Sequence, residues 1–297
     1  MQLKDYVAAN QKPPAIDDLV RRMGEISTLP QVAMKTIEVA NDPKSSAIDL
    51  KEVIESDAAL GARILRCVNS SAYATRERVT NLQQAISYLG LRQIRDLALT
   101  ASVAELFSKE ETIGPYRRRG LWGHLVAVGI CSRLIAMRQK ISDFEAAFTA
   151  GLLHDIGIVL EDQYVHGPFR STVQSLSEGD LLVEAERKHL GFDHTRLGVK
   201  VADLWRFPDT VKAAIEYHHR SVNYRGNEIG VVRCVDVANL ICTVKGYPSV
   251  GLKLVRASQP VLSALCLTRE HIVVLAKDLD KELAKHAALF ELCLPTP

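Results

Sequence analysis

From Ile16 to Phe107 apolar side chains return every three or four positions, as in Val32, Ile37, Val39 and Ala40, in Val53 and Ile54, and in Leu60, Ile64, Leu65 and Val68. That period belongs to helices with one buried face. Strand-like alternation is scarce. Pro30 after Thr28-Leu29 opens one helix, Asn41-Asp42-Pro43 closes it, and Asp49 or Ser56-Asp57 can cap those that follow. Asn69-Ser70-Ser71 and Gly90 mark further breaks. The pattern predicts about five short antiparallel helices with polar turns, which bury their apolar stripes without needing a ligand.

The helical period continues through Leu121 to Met137, Asp143 to His154, His194 to Trp205, Pro208 to His219 and Ile229 to Val244. A last pair near Leu252 to Leu265 and Thr268 to Leu289 reads as packing helices. Ser108 to Gly120, containing Gly114-Pro115, is the expected junction. The expected fold is all-α with two lobes, residues 1–112 and 113–297, and no internal repeat. A chain of 297 residues allows this, because single cores stop growing at roughly 250–300 residues.

Composition adds exclusions. Apolar residues at 47% and charged residues at 24% match an ordinary globular protein. With 37 basic against 35 acidic side chains the net charge is +2, so no global field favours nucleic acid or an acidic membrane. The sharpest basic cluster, Tyr116-Arg117-Arg118-Arg119, is expected to be a solvated loop or helix start and no nucleic-acid site. Cysteines 67, 131, 234, 242, 266 and 293 lie far apart without Cys-x-x-Cys spacing, which predicts buried thiols in a reducing cytosol. Met1 to Asn10 carries Lys4 and Asp5 where an exported chain has an apolar core. No later apolar run is expected to reach the roughly 18 residues of a membrane span. The expected location is the cytoplasm.

Chemistry concentrates in the second half. Seven of the nine histidines fall between residues 124 and 219, and the region up to residue 112 has none, so that lobe is expected to be structural and to bind partners. Gly151-Leu152-Leu153-His154-Asp155-Ile156-Gly157 sets an imidazole and a carboxylate side by side at the end of an apolar helix that glycine closes. Around it stand His124, His194, the pair His218-His219 and Asp236, each on or beside an apolar stripe. Val211, Ile215 and His218 share one face at i, i+4, i+7 spacing. Burying several such groups unpartnered costs several kcal/mol, on the order of the transfer penalty of each, and a shared metal answers all of them. His166, His189, His271 and His286 lack such context and are expected at the surface or at helix ends.

His124, His154-Asp155 and Asp236 resemble the H…HD…D signature of the HD phosphohydrolase superfamily, and His194 and His218 resemble the extra ligands of its two-metal members. The resemblance extends to the HDOD family. Leu29-Pro30-Gln31-Val32, the run from Asp57 to Tyr73, Ala85 to Gly90, Gly191-Phe192-Asp193-His194, Trp205 with Pro208, and Tyr217-His218-His219 are similar to its motifs over about residues 20 to 290. The resemblance implies an N-terminal helical bundle packed on an HD-type helical domain. It implies that His124, His154 and Asp236 hold one divalent metal, that His194 and His218 hold a second, and that Asp155 bridges them. Donors without thiolate suit iron, manganese, nickel or zinc. His219 could touch a metal, fix a ligand phosphate or orient a ligand residue, and with Asp155 it is the candidate for a catalytic role.

Ile158 stands where the neighbouring HD-GYP phosphodiesterases have lysine, and Arg220-Ser221-Val222 replaces their glycine-tyrosine-proline string. Both departures speak against cyclic di-GMP hydrolysis. The preferred expectation is a stand-alone bacterial signal-transduction output that keeps a metal site and reads a protein partner or a phosphate-containing small molecule. The alternative is a metal-dependent phosphohydrolase, to which Lys188, Arg196 or Arg220 could add positive charge. A weaker third reading borrows the ligand order of HD-fold di-iron oxygenases.

Overall fold

The computed structural model describes residues 15–25, 31–42, 44–70, 73, 78–141 and 143–292. The expectations for Met1 to Asn10, Thr28-Leu29-Pro30, Pro43, Ser71-Ala72 and Cys293, and for the side chains of Ile37 and Ala40, lie outside the described residues. Among the described residues the chain is all-α apart from one hairpin of two two-residue strands. The described elements begin with α1 (Ile16–Glu25), α2 (Gln31–Asn41), α3 (Ala47–Glu55), α4 (Ala58–Val68), α5 (Leu82–Leu89) and α6 (Leu91–Ala104). The antiparallel strands β1 (Thr112–Ile113) and β2 (Tyr116–Arg117) precede α7 (Arg118–Arg138), α8 (Phe144–Leu153), α9 (Ile156–Tyr164), α10 (His166–Ser175) and α11 (Leu182–Leu190). Then come α12 (His194–Leu204), α13 (Asp209–Tyr217), α14 (Ile229–Val244), α15 (Gln259–Ala264), α16 (Arg269–Lys285) and α17 (Ala287–Glu291).

These elements form two compact units, one of residues 29–109 with 280–297, the other of residues 1–28 with 110–279. In the first, α6 is the central helix, with Ile94, Leu97, Ala98 and Ala101 fully buried among α2, α4 and α5. Its helix starts are set locally. The Ser46 hydroxyl accepts from the Ile48 and Asp49 amides while Asp49 accepts from the Ser46 amide, and Asp57 accepts from the Ala59 and Leu60 amides. Asp57 is thus the expected cap, whereas Asp49 acts from the third position of its helix.

In the second unit α7, α8 and α14 pack on one another, with α13 against α8 and α12 against α9 and α13. Helix α7 is long and apolar enough to cross a membrane, contrary to the expectation that no run would be. The most apolar window of this helix is 78% buried inside the protein, so its hydropathy is that of a core helix. Close approach of α7 and α8 depends on small residues: a Cβ on Gly151 would stand 2.8 Å from the Val128 carbonyl oxygen and 2.9 Å from the Gly129 Cα.

Three features differ from the sequence expectation. Helices α9, α10 and α11 fill the stretch between His154 and His194, where none is expected. Only the turn at His154-Asp155 separates α8 from α9, with no proline or cap to announce it. Pro168 sits in the first turn of α10, where its missing N–H is not needed. Gly157 does not close α8 but lies inside α9, where a Cβ would collide with the backbone carbonyl of His194. Arg118 is buried instead of solvated, its Nε donating to Asp162 at 2.6 Å while the Tyr116 hydroxyl donates to the same carboxylate at 2.9 Å.

Candidate metal centre

Five helices deliver the candidate residues. His124 comes from the middle of α7, His154 and Asp155 from the turn between α8 and α9, and His194 from the first position of α12. His218 and His219 follow α13, and Asp236 lies within α14. The N-cap Asp193 fixes the start of α12: it accepts from the Arg196 amide at 3.0 Å and the Thr195 hydroxyl at 2.7 Å, and it is paired to Arg187. The bare glycine edge at Gly157 lets α12 approach α9 closely enough to bring His194 to Asp155.

His124, His154, Asp155, His194 and His218 are all buried. Their donor atoms fall into two groups within 4.8 Å, His124 with His154 and Asp155, and Asp155 with His194, His218 and His219. Asp155 belongs to both. Its Oδ2 lies 3.5 Å from His124 Nε2 and 3.3 Å from His154 Nε2, and its Oδ1 lies 3.4 Å from His194 Nε2 and 3.1 Å from His218 Nε2. The two imidazole pairs approach each other through the same nitrogens, His124 to His154 at 3.3 Å and His194 to His218 at 3.4 Å.

The other ring nitrogens are engaged by oxygens that only accept. His124 Nδ1 is 2.6 Å from the Tyr247 carbonyl, His154 Nδ1 is 2.7 Å from the Gly151 carbonyl, and His218 Nδ1 is 3.0 Å from the Ala214 and Ile215 carbonyls. His194 Nδ1 is 2.7 Å from Glu186 Oε2. Each Nδ1 therefore carries the hydrogen, and in a neutral ring the Nε2 lone pair is left pointing inward. Asp155 Oδ1 has no hydrogen-bond partner despite full burial. Lone pairs of four imidazoles and a carboxylate meeting in a dry space repel one another unless a cation lies among them, so the residues fit a divalent metal.

Burial outweighs the nearby Asp155 charge and depresses His154 to about 4. For Asp155 burial acts upward, yet the His154, His124 and His218 rings hold its carboxyl well below the ordinary range. For His194 burial acts downward, but the Glu186 carboxylate prevails and raises it to about 9. In the metal-free protein a proton on His194 Nε2 thus stands in for the cation among these donors, and a metal would displace it.

Asp236, expected beside His124 and His154, is in neither group. Half-buried on α14, it accepts a 2.6 Å hydrogen bond from the Ser221 hydroxyl, and burial raises its carboxyl above the ordinary value despite that bond. His219 is partly exposed, and its Nε2 reaches His194 Nε2 at 3.1 Å. Lys188, Arg196 and Arg220 are exposed, so they do not enter the buried cluster. Ile158 is fully buried in the core. Of the remaining histidines, His166 lies with Asp162, His271 with the Cys266 carbonyl and the buried helix-end His286 with the Glu282 carbonyl, while the half-buried His189 in the last turn of α11 has no hydrogen-bond partner for its Nε2.

Two carboxyls escaped the sequence reading. Glu186 is fully buried and also accepts from the His194 amide at 3.0 Å. Glu161, fully buried on α9, lies beside Glu186, and burial followed by repulsion from Glu186 raises it well above the ordinary glutamate range. The fold therefore favours its protonated form. A signal for Glu186 exists: Leu182, Glu186 and Leu190 recur at i, i+4, i+8 and are all buried, so a carboxylate interrupts a core stripe.

Comparison with known proteins agrees with this architecture. The HDOD domain profile matches residues 26–221. A solved HDOD domain protein of unknown function from Geobacter sulfurreducens superimposes with a TM-score of 0.75 at 23% identity, covering 98% of this chain and 96% of that one. A candidate signal transduction protein from Marinobacter aquaeolei VT8 gives 0.73 at 24% identity, over 89% of this chain and 58% of that one. A candidate metal-dependent phosphohydrolase from Shewanella amazonensis SB2B gives 0.55 at 22% identity, over 94% and 99%. In sequence, an uncharacterized protein of Treponema pallidum (strain Nichols) is 23% identical over 210 residues, 65% of this chain and 38% of that relative. The chain thus spans well under half the length of that relative.

Proposed function

Since the chain belongs to the HDOD domain family, we propose that it is a bacterial signal-transduction output module, acting in the cytoplasm, whose buried histidine cluster binds divalent transition metal. The observation that supports this most directly is the set of four Nε2 atoms turned inward while every Nδ1 is engaged by an acceptor oxygen. His124 and His154 with Asp155 Oδ2 would hold one ion, and His194, His218 and His219 with Asp155 Oδ1 a second. Iron, manganese, nickel and zinc all suit such nitrogen and oxygen donors. The unit of residues 29–109 and 280–297 would then meet a signalling protein partner.

A metal in such a site supplies Lewis acidity and an activated water, which is the chemistry of phosphate-ester hydrolysis. That second reading is favoured by a cavity that opens beside His218 and His219, giving a small molecule access to the cluster. Here Asp155 would orient the donors, and His219, partly exposed at the cavity wall, would face the ligand.

Elemental analysis after supplementation with each metal tests the proposal. Wild type is expected to hold at least one ion, and Asp155→Ala to lose it and melt at lower temperature, since metal affinity adds to folding free energy. Wild type free of metal, together with Asp155→Ala melting like wild type, would refute the metal site. Metal-loaded protein is expected not to turn over cyclic di-GMP; turnover at ordinary enzyme rates, abolished by His154→Ala, would make it a phosphodiesterase instead.

A further inference from the structure

The cavity beside the cluster has a volume of about 180 Å³. His218, His219 and Asp236 form part of its wall, so whatever fills it touches the candidate centre. Leu181, Leu182, Leu240 and Leu254 supply apolar surface, and Arg220 and Arg256 bring two guanidinium groups to the lining against the single carboxylate of Asp236. Both arginines are held: Arg256 Nη2 donates to the Gly179 carbonyl at 2.7 Å, and Arg220 pairs with Glu216 at 3.3 Å and lies over the Tyr217 ring. Each keeps further N–H donors for a ligand.

From this we infer that the cavity binds a phosphate monoester carrying one apolar substituent about the size of a single ring. The inference rests on the metal-binding reading of the neighbouring cluster. The anionic head follows from the charge of the lining, to which bound metal would add. The apolar body follows from the leucines and valines of the lining, which reward burial of hydrocarbon, while Ser221, Asn239 and Thr243 on the same wall offer the head polar partners. Size sets the limit: a cavity of about 150 Å³ admits benzene, whereas pockets enclosing drug-sized ligands measure roughly 300–1,000 Å³. A single ring fills that volume, and the larger body of a cyclic dinucleotide would extend out of it.

The test uses full-length, manganese-loaded protein whose metal content is measured in the same sample. Calorimetric titration compares inorganic phosphate, phenyl phosphate, benzoate and cyclic di-GMP. Phenyl phosphate is expected to bind at least tenfold tighter than inorganic phosphate, and benzoate and cyclic di-GMP more weakly than phenyl phosphate. Leu240→Trp, which fills the cavity from α14 without touching a donor atom, is expected to abolish the phenyl phosphate advantage while inorganic phosphate affinity and metal content stay at wild-type values. Leu254→Trp repeats the test from a non-helical segment should the first variant not fold, and the wild-type ratio decides in any case. Metal-loaded wild type that binds inorganic phosphate as tightly as phenyl phosphate, or cyclic di-GMP more tightly, would overturn the inference and leave the metal site standing. Wild type without metal would overturn both.

Discussion

Nδ1 of His194 lies 2.7 Å from Oε2 of Glu186, and both side chains are wholly buried. A carboxylate at that nitrogen fixes the tautomer, aims Nε2 inward and makes the ring a stronger metal donor. Glu186 in turn lies against Glu161, whose carboxyl burial raises well above the ordinary glutamate range.

Removing the carboxylate should therefore weaken one half of the cluster selectively. Glu186→Ala is expected to lower metal affinity by about 10- to 100-fold, while binding through His124 and His154, whose Nδ1 acceptors are backbone carbonyls, persists. Titration of stripped protein with manganese, followed by competition against a chelator, measures this. Unchanged affinity in the variant would show that Glu186 does not support a ligand.

The metal-free protein should have a stability maximum near neutral pH. His154 is depressed from 6.5 to about 4, so its contribution is present above pH 6.5 and is lost as pH falls through 4. His194 is raised from 6.5 to about 9, so its contribution is full below pH 6.5 and is lost as pH rises through 9. Each limb is worth on the order of 3 kcal/mol. Glu161, raised above its ordinary 4.5, binds a proton in the fold that the unfolded chain lacks, so it costs stability as pH rises above 4.5, which blunts the acid limb of His154 and adds to the alkaline loss. Urea midpoints of chelator-treated protein between pH 4 and 9.5 should trace a dome. His154→Gln should flatten its acid side, and His194→Gln its alkaline side. Midpoints of wild type that do not vary with pH would contradict these assignments.

Gly157 offers a way to disturb the cluster without changing a single donor. A Cβ there meets the His194 carbonyl, which is backbone and cannot swing aside. Gly157→Ala should cost about 1–3 kcal/mol of stability as an overpacking substitution. It should also reduce metal bound through His194, His218 and His219 more than metal bound through His124 and His154. A variant with wild-type melting temperature and wild-type metal content would mean that the two helices separate freely.

Much of this was legible in the residues. Strongly periodic segments such as Ile229 to Val244 coincide with observed helices, and His124, His154, Asp155, His194 and His218 meet as their shared buried faces require. What the residues hid has physical causes. Helices α9 and α10 lack conventional punctuation, since a two-residue turn starts one and a proline sits inside the other. The two-residue helix-to-helix turn also changes the meaning of Gly157 from helix stop to helix contact. Asp236 lies on the expected helix, yet its hydrogen bond runs to Ser221, fifteen positions away, a pairing no local pattern announces. Arg118 pairs across forty-four positions with Asp162, so a run of arginines gave no hint of its burial.

Three of the four inward-facing imidazoles rest on main-chain oxygens, those of Tyr247, Gly151, and Ala214 with Ile215. A carbonyl belongs to every amino acid, so replacing Tyr247, Ala214 or Ile215 leaves the acceptors in place as long as the helices keep their course, whereas Gly151 is tied to glycine by its close approach to α7. Only His194 depends on a replaceable side chain, Glu186. Inheritance of the site is therefore uneven: descendants of this fold can retain three donors through extensive sequence drift, while a single codon at position 186 is enough to retune the fourth.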